Sequence, residues 1–460
     1  MSALQNVLDR IDRDLELATR RLFDLLRIES ISTDPAYRKQ CADAAAWLVK
    51  DLKSIGFSAK SVKTPGHPMV VAKHHKAKGA PTVLFYGHYD VQPVDPLELW
   101  NHPPFEPKIV KGKGGAEQIT GRGTADDKGQ LMTFVEACRA WKAETGNLPV
   151  NVTILFEGEE ESGSPSLIRF LKEYSKELKA DIALVCDTGM WDAKTPSITT
   201  ALRGLIGEEV TIHAASRDLH SGMYGSAARN PIHVLADVLS SLHDRNGKVT
   251  LPGFYDGVPE IPASVKKQWA GLKFSEKAFL GEVGLKIPAG EKGRSVLEMI
   301  WSRPTCEING IYGGYTGEGF KTVIPAEASA KVSFRLVGNQ NPKKILTAFR
   351  KYVKENIPAD CKASFVSEGA SGAIQLDYQM PELQKASAAL KAEWGRPAVL
   401  SAMGGSIPVV GHFQQILKMQ SLLVGFGLDD DCIHSPNEKY NLTSFHKGAR
   451  SWARIMEVLT

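Results

Sequence analysis

Three apolar runs in the first 200 residues constrain the fold more than any other feature of this sequence. The runs are residues 82–86, 150–156 and 182–186. Each run is short and rich in branched or aromatic side chains, and each is followed by a polar turn that contains glycine. Segments with helical periodicity accompany them, at residues 41–55 and at residues 131–138 after the turn TADDKG. This alternation predicts an α/β domain with a mixed sheet covered by helices.

The pattern changes near Leu205. EEVTIHAAS and AEASAKVSFRLV alternate like half-exposed strands, whereas PIHVLADVLSSLHD and KKILTAFRKYVKEN have helical periodicity. From Pro381 onward the first pattern returns. We therefore predict one domain from residues 1–204 and 381–460 and an inserted α+β domain of residues 205–380. Within the latter, residues 246–294 are predicted to form an insertion with a short helix.

Length and composition exclude several classes of partner. A chain of 460 residues exceeds the size at which one core usually stops growing, which favours two domains. Its 56 basic and 52 acidic residues are mixed, so neither nucleic acid nor a membrane surface is an expected partner. No apolar run could span a bilayer, and the N-terminus lacks a secretory signal. Six cysteines without paired spacing favour buried thiols and a reducing, cytoplasmic setting.

Histidine and acidic residues follow each of the three apolar runs. GHYD places His88 and Asp90 after the first run, FEGEEESGS places residues 159–161 after the second, and Asp187 follows the third. His88 and Asp90 lie two apart, which suits a metal-bound imidazole and the carboxylate that orients it. Because open α/β sheets bind ligands at the carboxyl ends of their strands, these groups are expected to share one site.

Taken singly, each group also has a structural explanation. His88 can be a surface histidine in a turn, and the three glutamates can form a solvated acidic loop. Asp126 and Asp127, in GRGTADDKG, can cap the helix that follows them. Together, however, they are a cysteine-free set of carboxylates and imidazoles, which suits zinc, manganese or related divalent ions. His434, after the strand-like SLLVGFG, is a further candidate ligand.

Five motifs resemble those of a metallopeptidase family. GHYDVQP, GRGTADDKG, GEEESGS, DLHSGMYG and IHSPNEK occur in this order between Gly87 and Lys439, and the resemblance extends over nearly the whole chain. The family they resemble contains carnosinase-like cytosolic dipeptidases, aminoacylases, acetylornithine deacetylase, succinyl-diaminopimelate desuccinylase and glutamate carboxypeptidase. The resemblance implies a zinc-peptidase-like catalytic domain with an inserted lid and dimerisation domain.

The resemblance also implies a site for two divalent metal ions, with zinc expected before manganese or cobalt. The implied ligands are His88 and Asp187 on one ion, Glu161 and His434 on the other, and Asp126 bridging both. Asp90 would orient His88, and Glu160 would be the catalytic base. Asp127 and Glu159 would not contact the metal ions.

Residues of the inserted domain resemble substrate contacts of the dipeptidases. His220 would stabilise the charge that develops on the scissile carbonyl oxygen, and would do so in the site of a partner subunit. The resemblance therefore implies a homodimer formed through the inserted domain. Arg335 would bind the substrate carboxylate, with Thr322, Gly405 and Ser406 as further contacts. Without the resemblance, His220 is a loop histidine, Arg335 a solvated strand residue, and Ser406 a helix cap.

The long chain, the insertion after Arg245 and the motif GGYTGEGFKTVIP favour the dipeptidases within this family. The expected activity is metal-dependent hydrolysis of dipeptides or short peptides with free termini. The alternative is an N-acyl- or N-carbamoyl-amino-acid amidohydrolase with the same metal site. A noncatalytic phosphate-binding protein that uses GKGGAEQITGRG is a hypothesis of another class, but this stretch lacks the GK[ST] of a P-loop.

Overall fold

The chain forms two compact units. The computed structural model describes residues 2–404 and 407–460, apart from the side chain of Lys113. The first unit comprises Met1–Thr200, Leu376–Ser401 and His412–Thr460, and the second comprises Ala201–Gln375 and Ala402–Gly411. The second unit thus begins and ends slightly before the predicted 205–380, and it takes in a later segment that the sequence analysis assigned to the first domain.

The bounds of the strands, in chain order, are as follows: β1 Ser58–Val62, β2 Met69–His74, β3 Thr82–His88, β4 Lys108–Lys111, β5 Glu117–Thr120, β6 Asn151–Glu157, β7 Ile182–Val185, β8 Ser197–Leu202, β9 Gly204–His213, β10 Leu219–His220, β11 Thr305–Gly313, β12 Val323–Ile324, β13 Glu327–Leu336, β14 Lys362–Ser371, β15 Ile374–Gln375, β16 Val399–Met403, β17 Gln420–Leu423 and β18 Lys439–Asn441. The three predicted apolar runs correspond to β3, β6 and β7.

The bounds of the α-helices are as follows: α1 Ala3–Arg13, α2 Leu15–Leu26, α3 Arg38–Ser54, α4 Lys128–Thr145, α5 Leu167–Glu173, α6 Ser175–Leu178, α7 Ser221–Tyr224, α8 Pro231–Ser240, α9 Ala263–Ala270, α10 Glu276–Glu282, α11 Val296–Trp301, α12 Pro342–Glu355, α13 Pro381–Trp394, α14 Pro408–His412 and α15 Leu442–Val458. Among the described residues, none of these helices has both the length and the apolar character that crossing a membrane requires.

The main sheet of the first unit is mixed, as predicted. Its strands follow the order β1-β2-β6-β3-β7-β17-β8. Strand β3 runs parallel to β6 and β7, and β17 runs parallel to β7, whereas β2 and β8 are antiparallel to their neighbours in this group. The carboxyl ends of β3, β6, β7 and β17 therefore meet at one edge of the sheet, where an α/β fold places its ligands.

Helices α4 and α15 cover this sheet through large apolar side chains. The rings of Phe85 on β3 and Phe134 on α4 stack with their centroids 3.8 Å apart. Trp452 on α15 meets both rings edge-on, with its centroid 5.5 Å from Phe85 and 5.6 Å from Phe134. All three side chains are fully buried, and each aromatic pair adds about 0.5–1.5 kcal/mol beyond its buried area. This packing holds together β3, which ends at His88, and α4, which begins two residues after Asp126.

The second unit has the predicted α+β character. Its antiparallel sheet follows the order β11-β13-β9-β14. Residues on β9 alternate between buried and half-buried positions, as a strand with one covered face requires. Phe334 on β13 packs against Phe349 on α12 with the ring centroids 5.3 Å apart. Arg335 is half-buried between the buried Phe334 and Leu336, so it lies on the less apolar face, as predicted.

Two predicted elements differ from the structure. The sequence predicts one N-terminal helix, but the chain leaves helical geometry at Asp14, between α1 and α2. Asp14 has a φ of −93° and a ψ of 9°, and its main-chain N–H still bonds to the oxygen of Arg10. The insertion was predicted to hold one short helix but holds α9 and α10, because Gly271 ends the first and the Ser275 hydroxyl caps the second. Five of the six cysteines are buried, and Cys432 is exposed.

Candidate metal centre

His88 is the last residue of β3, and its imidazole is fully buried between two aspartates. Its Nδ1 atom lies 3.1 Å from the main-chain oxygen of Asp90 and 3.5 Å from the Asp90 Oδ1 atom. Its Nε2 atom lies 3.0 Å from Oδ1 of Asp126. The ring is therefore held from one side by Asp90, and its other nitrogen faces the cluster of carboxylates described next.

Asp90 also orders the turn that follows β6. Its Oδ1 atom accepts a hydrogen bond from the main-chain N–H of Glu160 at 3.3 Å, and its Oδ2 atom accepts one from Glu161 at 3.0 Å. One buried carboxylate thus joins the end of β3 to the turn that carries the acidic motif. This connection explains how residues from two parallel strands keep a fixed relation to each other.

Two groups of side chains could each hold a metal ion, and they share Asp126. One group is His88, Asp126 and Asp187, and the other is Asp126, Glu161 and His434. In each group, one donor atom from every residue lies within 4.8 Å of the others. The five residues that the sequence analysis named as metal ligands thus lie together at the carboxyl edge of the sheet. Carboxylate and imidazole donors of this kind suit zinc, manganese or cobalt.

His434 reaches this cluster from a loop near the end of the chain. Its Nε2 atom lies 2.9 Å from Oδ2 of Asp126 and 3.1 Å from Oε2 of Glu161. The residue has a φ of 61°, in the left-handed region that non-glycine residues seldom adopt. About half of the His434 side chain is exposed, so the second group is accessible to solvent. The first group contains His88, whose side chain is fully buried.

The carboxylates and imidazoles of this cluster shift one another's pKa values. Burial lowers the pKa of the His88 imidazole, but hydrogen bonds to Asp126 and Asp90 outweigh it and raise that pKa well above its usual range. Hydrogen bonds to Asp126 and Glu161 raise the pKa of His434 to about 10. Burial, followed by the charges of Asp126 and Asp127, raises the pKa of Asp187 well above its ordinary value.

Among the described residues, no lysine or arginine pairs with Asp126, Glu161 or Asp187. Because neighbouring buried carboxylates are costly without a cation, the donor set fits two divalent ions.

Glu160 differs from its two neighbours in having a carboxylate with no hydrogen-bond partner among the described residues. Burial raises its pKa above the ordinary value for glutamate, and the charges of Glu161 and Asp90 act in the same direction. A half-buried carboxylate with a raised pKa suits proton transfer near neutral pH.

The carboxylates of Glu159 and Asp127 accept hydrogen bonds from main-chain N–H groups. Glu159 accepts hydrogen bonds from the main-chain N–H groups of His67 at 2.8 Å and Ser166 at 3.2 Å. Asp127 accepts one from the main-chain N–H of His88 at 3.1 Å. Neither residue belongs to the two ligand groups, and their exclusion from the metal sites stays a prediction.

Sequence reasoning overlooked two polar residues that contact the cluster or its loops. The Nε2 atom of Gln92 donates a 2.7 Å hydrogen bond to Oε2 of Glu161. The carboxylate of Glu438 accepts hydrogen bonds from the main chain around Asp126. Gln92 lies in the motif GHYDVQP and Glu438 in the motif IHSPNEK. Each motif also contains a candidate ligand, and this nearness in sequence was the signal that could have identified them.

The predicted substrate contacts of the inserted domain lie in the second unit. His220 pairs with Val323 across strands β10 and β12, and the main-chain N–H of Ser221 bonds to the oxygen of Thr322 at 3.0 Å. His220 and Thr322 are therefore neighbours, and both are exposed. The His220 Nδ1 atom accepts a hydrogen bond from Gly222 N–H at 3.0 Å. Arg335 lies on another strand, β13, and Gly405 and Ser406 lie outside the described residues.

A mixed α/β sheet with two carboxylate–imidazole groups joined by one aspartate is the arrangement of a metal-dependent hydrolase. Residues 84–458 match the family model described as peptidase family M20/M25/M40. The chain belongs to this family.

Relatives of the chain cover almost its whole length. Cys-Gly metallodipeptidase DUG1 of Saccharomyces cerevisiae is 30% identical over 99% of this chain and 98% of its own. The crystal structure of human carnosine dipeptidase 1 is similar with a TM-score of 0.76 and 25% identity, over 100% of this chain and 99% of that chain. The M20 family metallo-carboxypeptidase Sso-CP2 of Sulfolobus solfataricus has a TM-score of 0.79 and 29% identity, over 96% of this chain and 99% of that chain.

Proposed function

We propose that this chain is a metallodipeptidase that hydrolyses dipeptides or short peptides with free termini. The observation that carries the proposal is the pair of candidate ligand groups that share Asp126. Next to them lies the carboxylate of Glu160, which has no hydrogen-bond partner among the residues that the structure describes. Full-length relatives named as a Cys-Gly metallodipeptidase and a carnosine dipeptidase support this substrate class over acylated amino acids.

In this proposal, Asp126 would be a ligand of two divalent ions, and each ion would have one further pair of ligands. His88 and Asp187 would complete one site, and Glu161 and His434 would complete the other. Zinc is our first expectation, with manganese and cobalt as alternatives, because carboxylate and imidazole ligands accept all three. Asp90 orients His88, and Gln92 holds Glu161 through the amide hydrogen bond.

Catalysis then combines the bound ions with one acid–base residue. When bound, two divalent ions would lower the pKa of a water molecule and polarise the scissile carbonyl. Glu160 accepts the proton of the attacking water and returns it to the leaving amine, which must depart protonated. Asp90 keeps Glu160 in place through the hydrogen bond to its main-chain N–H.

Residues of the second unit are proposed to bind the substrate. Arg335 binds the free carboxylate of a dipeptide, since a guanidinium forms paired hydrogen bonds with a carboxylate. Thr322, Gly405 and Ser406 are proposed as further contacts. His220 stabilises the developing negative charge on the carbonyl oxygen in the site of a partner subunit, which requires a homodimer formed through the inserted domain. We also propose that the protein is located in the cytoplasm.

A hydrolysis panel tests the proposal. The metal-loaded protein is incubated with unblocked dipeptides, N-acetyl amino acids and N-carbamoyl amino acids, and release of free amine is followed. We expect cleavage of the dipeptides. Cleavage confined to acylated or carbamoylated substrates would identify an amidohydrolase instead, and a metal-loaded protein that cleaves none of them would contradict the enzymatic role.

A further inference from the structure

Glu438 occupies a position that the proposed mechanism leaves unexplained. Its side chain is fully buried, and it lies four residues after His434. Strand β18 starts at the next residue and pairs with β5, whose end leads directly into the loop 121–126. This pairing brings Glu438 from the C-terminal part of the chain opposite the loop that carries Asp126.

Four N–H groups point at the two carboxylate oxygens of Glu438. Oε1 accepts hydrogen bonds from the main chain of Ala125 at 2.9 Å and Asp126 at 3.1 Å. Oε2 accepts from the main chain of Gly123 at 2.9 Å and from Nη1 of Arg122 at 2.8 Å. Since all four partners are donors, the position requires a group that only accepts. A carboxylate meets this requirement, whereas an amide would turn its own N–H groups toward donors.

Arg122 extends the connection to a third segment. Its guanidinium is almost fully buried, and its Nη2 atom donates a 2.9 Å hydrogen bond to the main-chain oxygen of Pro93. Pro93 ends the motif GHYDVQP, which also contains His88. The guanidinium lies over the ring of Trp100, 5.4 Å from its centroid, which limits its movement.

The pair therefore joins three loops, each of which carries or follows a candidate metal ligand. One contains Pro93, after His88; one contains Asp126; and one contains Glu438, after His434. Removing a hydrogen-bond partner behind a metal ligand typically weakens metal binding. We propose that the buried Arg122–Glu438 pair is a positioning element that holds Asp126 and His434 in the arrangement required by two metal ions.

This inference rests on the proposed metal centre, and it predicts an effect on metal affinity that is separate from folding. Glu438→Gln removes the charge and sets an amide against four donors, while its size stays nearly the same. We expect the affinity for divalent ions to fall by about 10- to 100-fold. At subsaturating metal, kcat should fall with KM for the dipeptide unchanged, and added metal should recover part of the lost activity.

Glu393→Gln is the matched control. Glu393 is also a buried carboxylate paired with arginine, since it accepts hydrogen bonds from Nε of Arg450 at 2.8 Å and from Nε of Arg454 at 2.9 Å. It joins α13 to α15 and contacts none of the candidate ligands. We expect this variant to lose thermal stability while it binds metal as the unmodified protein does.

The experiment measures zinc binding by competition with a chromophoric chelator, together with the thermal midpoint of each metal-free protein. Weaker zinc binding in Glu438→Gln than in Glu393→Gln, at comparable loss of midpoint, supports the inference. Equal zinc affinity in Glu438→Gln and the unmodified protein overturns it while leaving the proposed metal centre intact. An unmodified protein that binds neither zinc nor manganese nor cobalt overturns both.

Arg122→Lys decides the matter if Glu438→Gln does not fold. Lysine keeps the positive charge beside Glu438, but it cannot bond to Glu438 and Pro93 with the planar fork of a guanidinium. We expect zinc affinity to fall in this variant as well, although less than in Glu438→Gln. Unchanged zinc affinity in a folded Arg122→Lys protein would contradict the proposed positioning role.

Discussion

The Nε2 atom of His434 lies 2.9 Å from Oδ2 of Asp126, although the two residues are far apart in the sequence. The other oxygen of Asp126 lies 3.0 Å from Nε2 of His88. One carboxylate therefore faces two imidazoles that come from distant segments of the first unit. This relationship supports the proposal that Asp126 is a ligand of both metal ions.

Removal of metal should abolish activity and lower thermal stability together. A ligand that binds only the folded state stabilises it by about 2.7 kcal/mol when its concentration is 100 times its dissociation constant. Dialysis against a chelator should lower the thermal midpoint, and returning zinc or manganese should restore both midpoint and dipeptide hydrolysis. Full activity in a protein shown by elemental analysis to be metal-free would contradict the assignment.

Glu160→Gln should separate catalysis from metal binding. Because the amide cannot accept the proton of the attacking water, kcat should fall by about 10²- to 10⁴-fold. The metal content should not change, since Glu160 belongs to neither ligand group. Glu159→Gln serves as the control, because the Glu159 carboxylate bonds to the main chain of His67 and Ser166. If both variants lost activity equally, Glu160 would have no special role as base.

Mixing two inactive variants should test whether the subunits share their active sites. Glu160→Gln and His220→Ala should each be nearly inactive alone. If His220 acts in the partner's site, randomly re-formed dimers of the two should recover about a quarter of the sites, because each mixed dimer contains one intact site. The measurement is dipeptide hydrolysis after dissociation and reassociation. Absence of recovery in a mixture shown to contain mixed dimers would place His220 in the site of its own subunit or outside catalysis.

Glu157 should make the stability of the protein depend on pH. Burial raises the pKa of its carboxyl from 4.5 to about 8, although a hydrogen bond from Tyr86 opposes the shift. Since the folded state holds this proton more tightly than the unfolded chain, the free energy of unfolding should fall as the pH rises between these two values.

Glu157→Gln cannot ionise, so it should be more stable than the unmodified protein at about pH 9 and similar to it at about pH 5. Denaturant unfolding at the two pH values measures the difference. Glu393→Gln, which removes a partner of Arg450 and Arg454, should instead destabilise the protein at both. An equal effect of Glu157→Gln at the two pH values would show that the carboxyl does not titrate as described.

The sequence predicted the parts of the site that local patterns encode. His88 and Asp187 each follow an apolar run that forms a strand, so their place at one edge of the sheet followed from the strand pattern. Family motifs were needed to distinguish Glu160 and Glu161 from Glu159, because three adjacent glutamates have the same local signal. The structure distinguishes them by their contacts. Glu159 accepts hydrogen bonds from the main chain of His67 and Ser166, whereas Glu161 lies in a candidate ligand group.

Contacts between distant segments lay beyond sequence reasoning. Nothing local to Glu438 indicates that its carboxylate bonds to the main chain of Gly123 and Ala125, because the pairing of β5 with β18 creates that contact. The break at Asp14 was missed for a different reason. The apolar periodicity continues through it, so the pattern carried no signal of the change in backbone angles at Asp14.

The metal content of Asp126→Asn compared with that of Asp187→Asn tests the central claim most directly. Asp126 belongs to both ligand groups and Asp187 to one. The unmodified protein should bind two ions per chain, Asp187→Asn should keep one of them tightly bound, and Asp126→Asn should bind both weakly. Elemental analysis after gel filtration gives the ratio. If Asp126→Asn retained one tightly bound ion, as Asp187→Asn should, the two sites would not share Asp126 and the dinuclear account would be wrong.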